Sequence, residues 1–116
     1  VTAYDMYLIF NEALKYDTVN EIISMTSYDT VYTDKNGNEK TLSVKNTNQY
    51  LAGNVAAPDR VTVIGGKTGT TSAAGNCLIL LARDTSGNPY IAVILKSAER
   101  GILYTEMNAL LEQATS

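Results

Sequence analysis

An α+β fold follows from three features of the sequence. Helical periodicity opens and closes the chain, while the middle is built of β-prone runs separated by Gly, Asn and Pro. Two of those runs, Leu78 to Ala82 and Ile91 to Leu95, are apolar at nearly every position, as strands are when both faces of their sheet are covered. The expected architecture is an antiparallel three-stranded sheet packed by N- and C-terminal helices, with an extra polar β-hairpin. At 116 residues the chain is a single domain at most.

The elements follow in order. Thr2 can cap a first helix with Asp5 three residues on, and Ala3, Met6, Phe10, Ala13 and Leu14 then share one face. Asp17-Thr18-Val19-Asn20-Glu21 repeats this logic, with Thr18 as cap and Glu21 completing a capping box, and predicts a short second helix ending near Met25. Tyr28 to Thr33 and Thr41 to Val44 read as two strands of an exposed hairpin, joined across Asp34 to Asn38, where Asn36-Gly37 is a turn signal. From Asn46 to Asp59, Asn, Gly and Pro dominate without periodicity, so this segment is an irregular connection. Three strands come next: one through Val61-Thr62-Val63-Ile64 and the glycines to Thr70, one over Asn76 to Arg83, and one over Tyr90 to Lys96. From about Glu99 a last helix places Leu103, Met107, Leu110, Leu111 and Ala114 on one stripe.

Composition narrows the chemistry. Nine basic residues against 12 acidic ones give a net charge of -3 with no basic run, so nucleic acid is not an expected partner. The chain has no His and one Cys, which excludes a Ser/His/Asp triad or a Cys/His zinc site supplied by these residues alone. Cys77, inside an apolar run, reads as a buried structural thiol. No stretch has the apolar length of a membrane span, and the first residues read as a helix start rather than a signal peptide.

The segment with chemical potential is Ile64-Gly65-Gly66-Lys67-Thr68-Gly69-Thr70. It offers an ammonium, a hydroxyl able to donate to a carboxylate, and bare backbone along which a peptide can pair. The plainer alternative is turn chemistry with a solvated lysine. A third alternative is a non-enzymatic interaction module, with the hairpin and the eight tyrosines as its contact surface.

Ile64 to Thr71, with Ala74-Gly75-Asn76-Cys77-Leu78, resembles the third motif of serine D-alanyl-D-alanine carboxypeptidases, the low-molecular-weight penicillin-binding proteins. Asn46-Thr47-Asn48 is similar to their Asn-x-Asn loop, and Thr2-Ala3-Tyr4-Asp5-Met6 to the helix after their second motif. The resemblance spans nearly the whole chain and implies a part of a penicillin-binding protein/β-lactamase-like transpeptidase fold. The first motif is not found, since no serine here is followed three residues later by Lys. Ser86-Gly87-Asn88 matches the second motif only as a string, in a turn after Lys67 instead of well before it. The expectation is therefore that residues 1–116 form the C-terminal portion of a carboxypeptidase catalytic domain, inactive alone.

By the same resemblance, Lys67, Thr68 and Gly69 are the catalytic set and Thr68 and Thr70 bind substrate. Lys67 supplies positive potential, Thr68 donates to the substrate's terminal carboxylate, Gly69 keeps the strand open, and Thr70 lends its N–H to an oxyanion hole. Thr47 stands where several relatives place an Arg, which gives Thr68 more of the carboxylate role. The implied substrate is a peptidoglycan stem peptide ending in D-Ala-D-Ala, cleaved through an acyl-enzyme without metal or cofactor, with β-lactams as inhibitors and an extracytoplasmic location, at the cell surface or in the periplasm, with the full-length parent membrane-associated. A β-lactamase-type hydrolase is the enzymatic alternative. The sheet edge and helix faces that such a portion exposes imply a homodimer of the isolated chain.

Overall fold

The computed structural model describes all residues, Val1–Ser116, and its element order is α1 (Ala3–Ala13), α2 (Asp17–Ser24), β1 (Ser27–Thr33), β2 (Glu39–Lys45), β3 (Thr62–Thr71), β4 (Gly75–Arg83), β5 (Pro89–Ser97) and α3 (Arg100–Thr115). β1 and β2 form a separate antiparallel ribbon, and the other three strands form an antiparallel sheet in the order β3-β4-β5. The α+β architecture read from the sequence is the one observed.

The two faces of the sheet explain the continuous apolar runs. Leu78, Leu80 and Ala82 of β4 pack with Leu103, Tyr104, Met107 and Leu111 of α3, while Ile79 and Leu81 point the other way onto Phe10 of α1. Period-2 alternation thus sends every second residue of one strand into a different core. Of the stripe expected on α3, Leu103, Met107 and Leu111 are buried, but Leu110 and Ala114 are exposed and Tyr104 takes a core position instead. The 104/107/108/111 set faces the sheet and the connection before β3, turning the contact face away from residues 110 and 114.

Helix starts show one expectation met and one corrected. Thr2 and Asp5 form a reciprocal capping box: Asp5 N donates to Thr2 Oγ1 at 3.1 Å, and Thr2 N to Asp5 Oδ2 at 2.9 Å. Thr18, in contrast, lies inside α2, whose N-cap is Tyr16 without a side-chain cap. Asn20 displaces the expected box by donating through Nδ2 to Leu14 O at 2.6 Å and Tyr16 O at 3.1 Å, tying α2 back to the end of α1.

The two hairpin turns share one design. In Asp34-Lys35-Asn36-Gly37-Asn38 and in Asp84-Thr85-Ser86-Gly87-Asn88, the Asp carboxylate accepts backbone N–H groups two and four residues on, and the Gly takes a positive φ of 81° or 83°. This local Asp bracket, followed by a left-handed Gly, closes a tight turn that leaves β1 and β2 longer than the β-prone residues alone suggest. The β1–β2 ribbon is exposed along nearly all its length. Its projection accounts for a radius of gyration of 15.8 Å, against about 13 Å for a compact domain of this size.

Candidate active site

β3 is an edge strand, hydrogen-bonded to β4 on one side and paired with no strand on the other. Its placement depends on two glycines that serve packing. A Cβ on Gly65 would lie 2.6 Å from Ile23 O of α2, and one on Gly66 would overlap Ile79 O of β4. The backbone of β3 is thus pressed between α2 and β4, with a bulge at Ile64 where the register shifts between Val63 and Gly65. Gly69 differs, since nothing lies within 4 Å of where its Cβ would be. Gly69 lines an apolar concavity beneath α1, so a Cβ there would enter open space.

Lys67 is exposed and pairs with no carboxylate; the single ion pair of the chain joins Lys15 to Glu12 at 2.8 Å. Its ammonium donates to the backbone carbonyl of Thr68. Lys67 lines two concavities. One, of about 250 Å³, is apolar and lies under α1, with Met6, Phe10, Cys77 and Leu95 in its wall. The other, of about 680 Å³, lies between α2 and the base of the ribbon, where Ile22, Met25, Tyr28 and Val44 meet Thr47 and Lys67. Cys77 is half-buried, not the fully buried thiol expected, because it sits opposite Gly69 in the register at the open end of the strands. Its Sγ donates weakly to Ala74 O at 3.4 Å.

Thr68 and Thr70 have distinct settings. Thr68 Oγ1 lies 2.7 Å from Thr47 Oγ1, which joins β3 to the Asn46-Thr47-Asn48 loop. Thr70 Oγ1 instead donates to Asn76 Oδ1 at 3.3 Å, and Asn76 Nδ2 donates to Ser97 O at 3.1 Å. The Thr70 side chain is thereby committed to the sheet.

The loop itself is built by side chain to backbone hydrogen bonds in place of a ladder. Asn46 Nδ2 donates to Met25 O at 2.8 Å while its Oδ1 accepts from Asn48 N at 2.9 Å, and Asn48 Oδ1 accepts from Tyr50 N at 3.1 Å. Asn48 is fully buried. Lys67, Thr68, Gly69, Thr70 and Thr47 are therefore gathered along one end of β3. Residue reasoning missed the Thr47–Thr68 contact and the tie from α3 through Tyr104; the signal for the second was a tyrosine in register with Met107 and Leu111, whose hydroxyl needs a partner when buried.

Comparison with known proteins identifies the family and the fold. Residues 1–99 match the family of D-alanyl-D-alanine carboxypeptidases, Peptidase S11. A point mutant of the Streptomyces K15 DD-transpeptidase superposes with a TM-score of 0.71 at 25% identity, covering 85% of this chain and 36% of that one. A D-alanyl-D-alanine carboxypeptidase from Mycobacterium tuberculosis gives 0.71 at 20% identity, over 96% and 39%. A penicillin-binding protein homologue from the same organism gives 0.69 at 19%, over 99% and 41%. A search of curated proteins finds no match. The architecture is thus that of penicillin-binding proteins, and the chain belongs to the D-alanyl-D-alanine carboxypeptidase family of serine peptidases. It spans 36% to 41% of the length of these solved structures.

Proposed function

We propose that residues 1–116 are the C-terminal portion of the catalytic domain of a D-Ala-D-Ala carboxypeptidase and form the half of its site that holds substrate. The carrying observation is the hydroxyl pair of Thr47 and Thr68 next to an ammonium without a carboxylate, on the open edge of β3. Lys67 provides positive potential where negative charge develops. Thr68 donates to the terminal carboxylate of the stem peptide, and Thr47, as its hydrogen-bond partner, orients that hydroxyl. Gly69 lets the peptide backbone lie against the strand, and the Thr70 N–H completes the oxyanion hole.

The serine that forms the acyl-enzyme belongs, in this reading, to the rest of the domain. Helix α1 supports it: Tyr4, Leu8 and Ile9 are 67%, 47% and 60% exposed, so this helix is apolar well beyond the face it packs on the sheet, as a helix enclosed within a larger domain is. The substrate class is a peptidoglycan stem peptide ending in D-Ala-D-Ala, and β-lactams acylate the same serine. The full-length protein acts outside the cytoplasmic membrane, where that substrate lies; no helix of this chain is long and apolar enough to cross a membrane. The isolated chain is inactive and self-associates through its uncovered apolar surface. The test is labelling of the full-length protein with a fluorescent penicillin. A covalent label blocked by excess unlabelled β-lactam is expected, and its absence would overturn the reading.

A further inference from the structure

Thr47 is exposed, so no packing around its side chain holds its hydroxyl against Thr68. The position of Thr47 Oγ1 must be set by the backbone on either side of it. That backbone belongs to an irregular connection, and irregular segments keep their geometry only through specific contacts.

One such contact comes from the far end of the chain. Tyr104, in the second turn of α3, is 8% exposed and packs in the core cluster with Leu103, Met107 and Leu111. Its hydroxyl accepts from Gln49 N at 3.2 Å and donates to Thr47 O at 3.5 Å. A single oxygen thereby bridges the carbonyl before Asn48 and the N–H after it. The ring is fixed by Tyr50, at a centroid distance of 5.4 Å and an interplanar angle of 65°. Tyr50 is in turn held by its hydroxyl on Asn108 Oδ1 at 2.7 Å, and Asn108 Nδ2 donates to Ala56 O at 3.1 Å. Gln49 Nε2 also donates to Thr47 O, at 3.2 Å, but from within the loop; the contact that ties Thr47 O and Gln49 N to a helix is the Tyr104 hydroxyl.

We propose that Tyr104 is a positioning residue for carboxylate recognition: its hydroxyl fixes the Thr47–Gln49 backbone and so sets the orientation of the Thr47–Thr68 hydroxyl pair toward the substrate. This rests on the role proposed above for Thr68. The arrangement acts on binding of the terminal carboxylate and leaves the nucleophile untouched. A residue that only stabilised the fold would lower activity on all substrates alike.

The experiment uses the full-length protein and two peptides, one ending in D-Ala-D-Ala and one with its terminal carboxylate converted to the amide. Tyr104→Phe keeps the ring and removes both hydrogen bonds. It should lower kcat/KM on the acid about 10-fold, mostly through KM, and leave the amide within about 2-fold, because the bonds lost are to neutral backbone groups and the effect reaches the charged carboxylate only through the misoriented Thr68 hydroxyl. Adding Thr68→Val to Tyr104→Phe should cost less than the product of the two single effects. Equal losses on the two peptides would overturn the proposal, as would an unchanged acid substrate. Thr68→Val alone separates the two levels. If Thr68→Val discriminates acid from amide while Tyr104→Phe does not, only the role of Tyr104 fails; if Thr68→Val does not discriminate either, the carboxylate role of Thr68 fails with it. Thr47→Val, at an exposed position, reproduces the acid-specific loss without disturbing the core, and its failure to do so would also count against the proposal.

Discussion

The hydroxyls of Thr47 and Thr68 lie 2.7 Å apart although 21 residues separate them in sequence. In a short contact of this kind only one of the two protons can lie between the oxygens, so the other hydroxyl is free to donate outward. If Thr47 donates to Thr68, the Thr68 proton points to a ligand. Thr68→Val in the full-length protein should therefore reduce acylation by a β-lactam about 10- to 100-fold, and Thr47→Val by less. A double-mutant cycle on acylation rates should give a coupling of about 1 kcal/mol. Independent effects of the two substitutions would mean that the contact has no part in recognition.

Gly65, Gly66 and Gly69 sit on one strand but are expected to respond differently. Gly65→Ala and Gly66→Ala push a Cβ into backbone oxygens of α2 and β4, and should destabilise the chain by on the order of 2–3 kcal/mol in urea unfolding. Gly69→Ala meets open space and should leave the unfolding midpoint nearly unchanged while lowering acylation in the full-length protein. A stability loss at Gly69 as large as at Gly66 would show that this glycine serves packing and not substrate approach.

Alkaline titration tests the Tyr50 cluster. Burial, with the neighbouring Tyr104 adding to it, pushes the Tyr50 phenol well above its ordinary value of 10.0. The neutral form is therefore favoured in the fold, and its contribution is fully present below about pH 10, then lost as the pH rises toward the folded value, because the unfolded chain ionises first. Unfolding free energy measured from pH 8 to pH 11.5 should fall more steeply in the native chain than in Tyr50→Phe. Identical slopes would contradict the burial of this hydroxyl.

Two expectations concern the chain by itself. Mass spectrometry after incubation with a β-lactam should find no acyl adduct, because Lys67 and Thr68 cannot replace a serine nucleophile. An adduct on any serine here would contradict the proposed division of the site. Light scattering over a dilution series should show dimers formed through apolar surface such as the outer face of α1. A monomer at all concentrations would mean that this surface is too small to associate.

Much of the fold was legible because its signals are local or periodic. The Thr2–Asp5 box, the turn at Asn36-Gly37 and the doubly buried β4 each carry their geometry within a few residues. Thr18 misled because the competing Asn20 bonds to carbonyls upstream are specific to one loop path, invisible to a spacing rule. Leu110 lies off the buried face because periodicity fixes the pitch of a helix and not its rotation, and the buried face runs through Tyr104, Met107 and Leu111. At the site, the Lys67-Thr68-Gly69 strand was legible as a motif. The Thr47–Thr68 contact and the tie through Tyr104 were not, since both arise where distant segments meet.

The central claim, that the Lys67 strand forms the charge-bearing half of an acylating site, is tested most directly by one rate. The second-order rate constant for acylation by a fluorescent penicillin should be measured in the full-length protein and its Lys67→Ala and Lys67→Arg variants. A loss of about 100-fold or more for Ala, with partial retention for Arg, is the expected result, since the ammonium acts where charge develops. Wild-type rates in both variants would contradict the account.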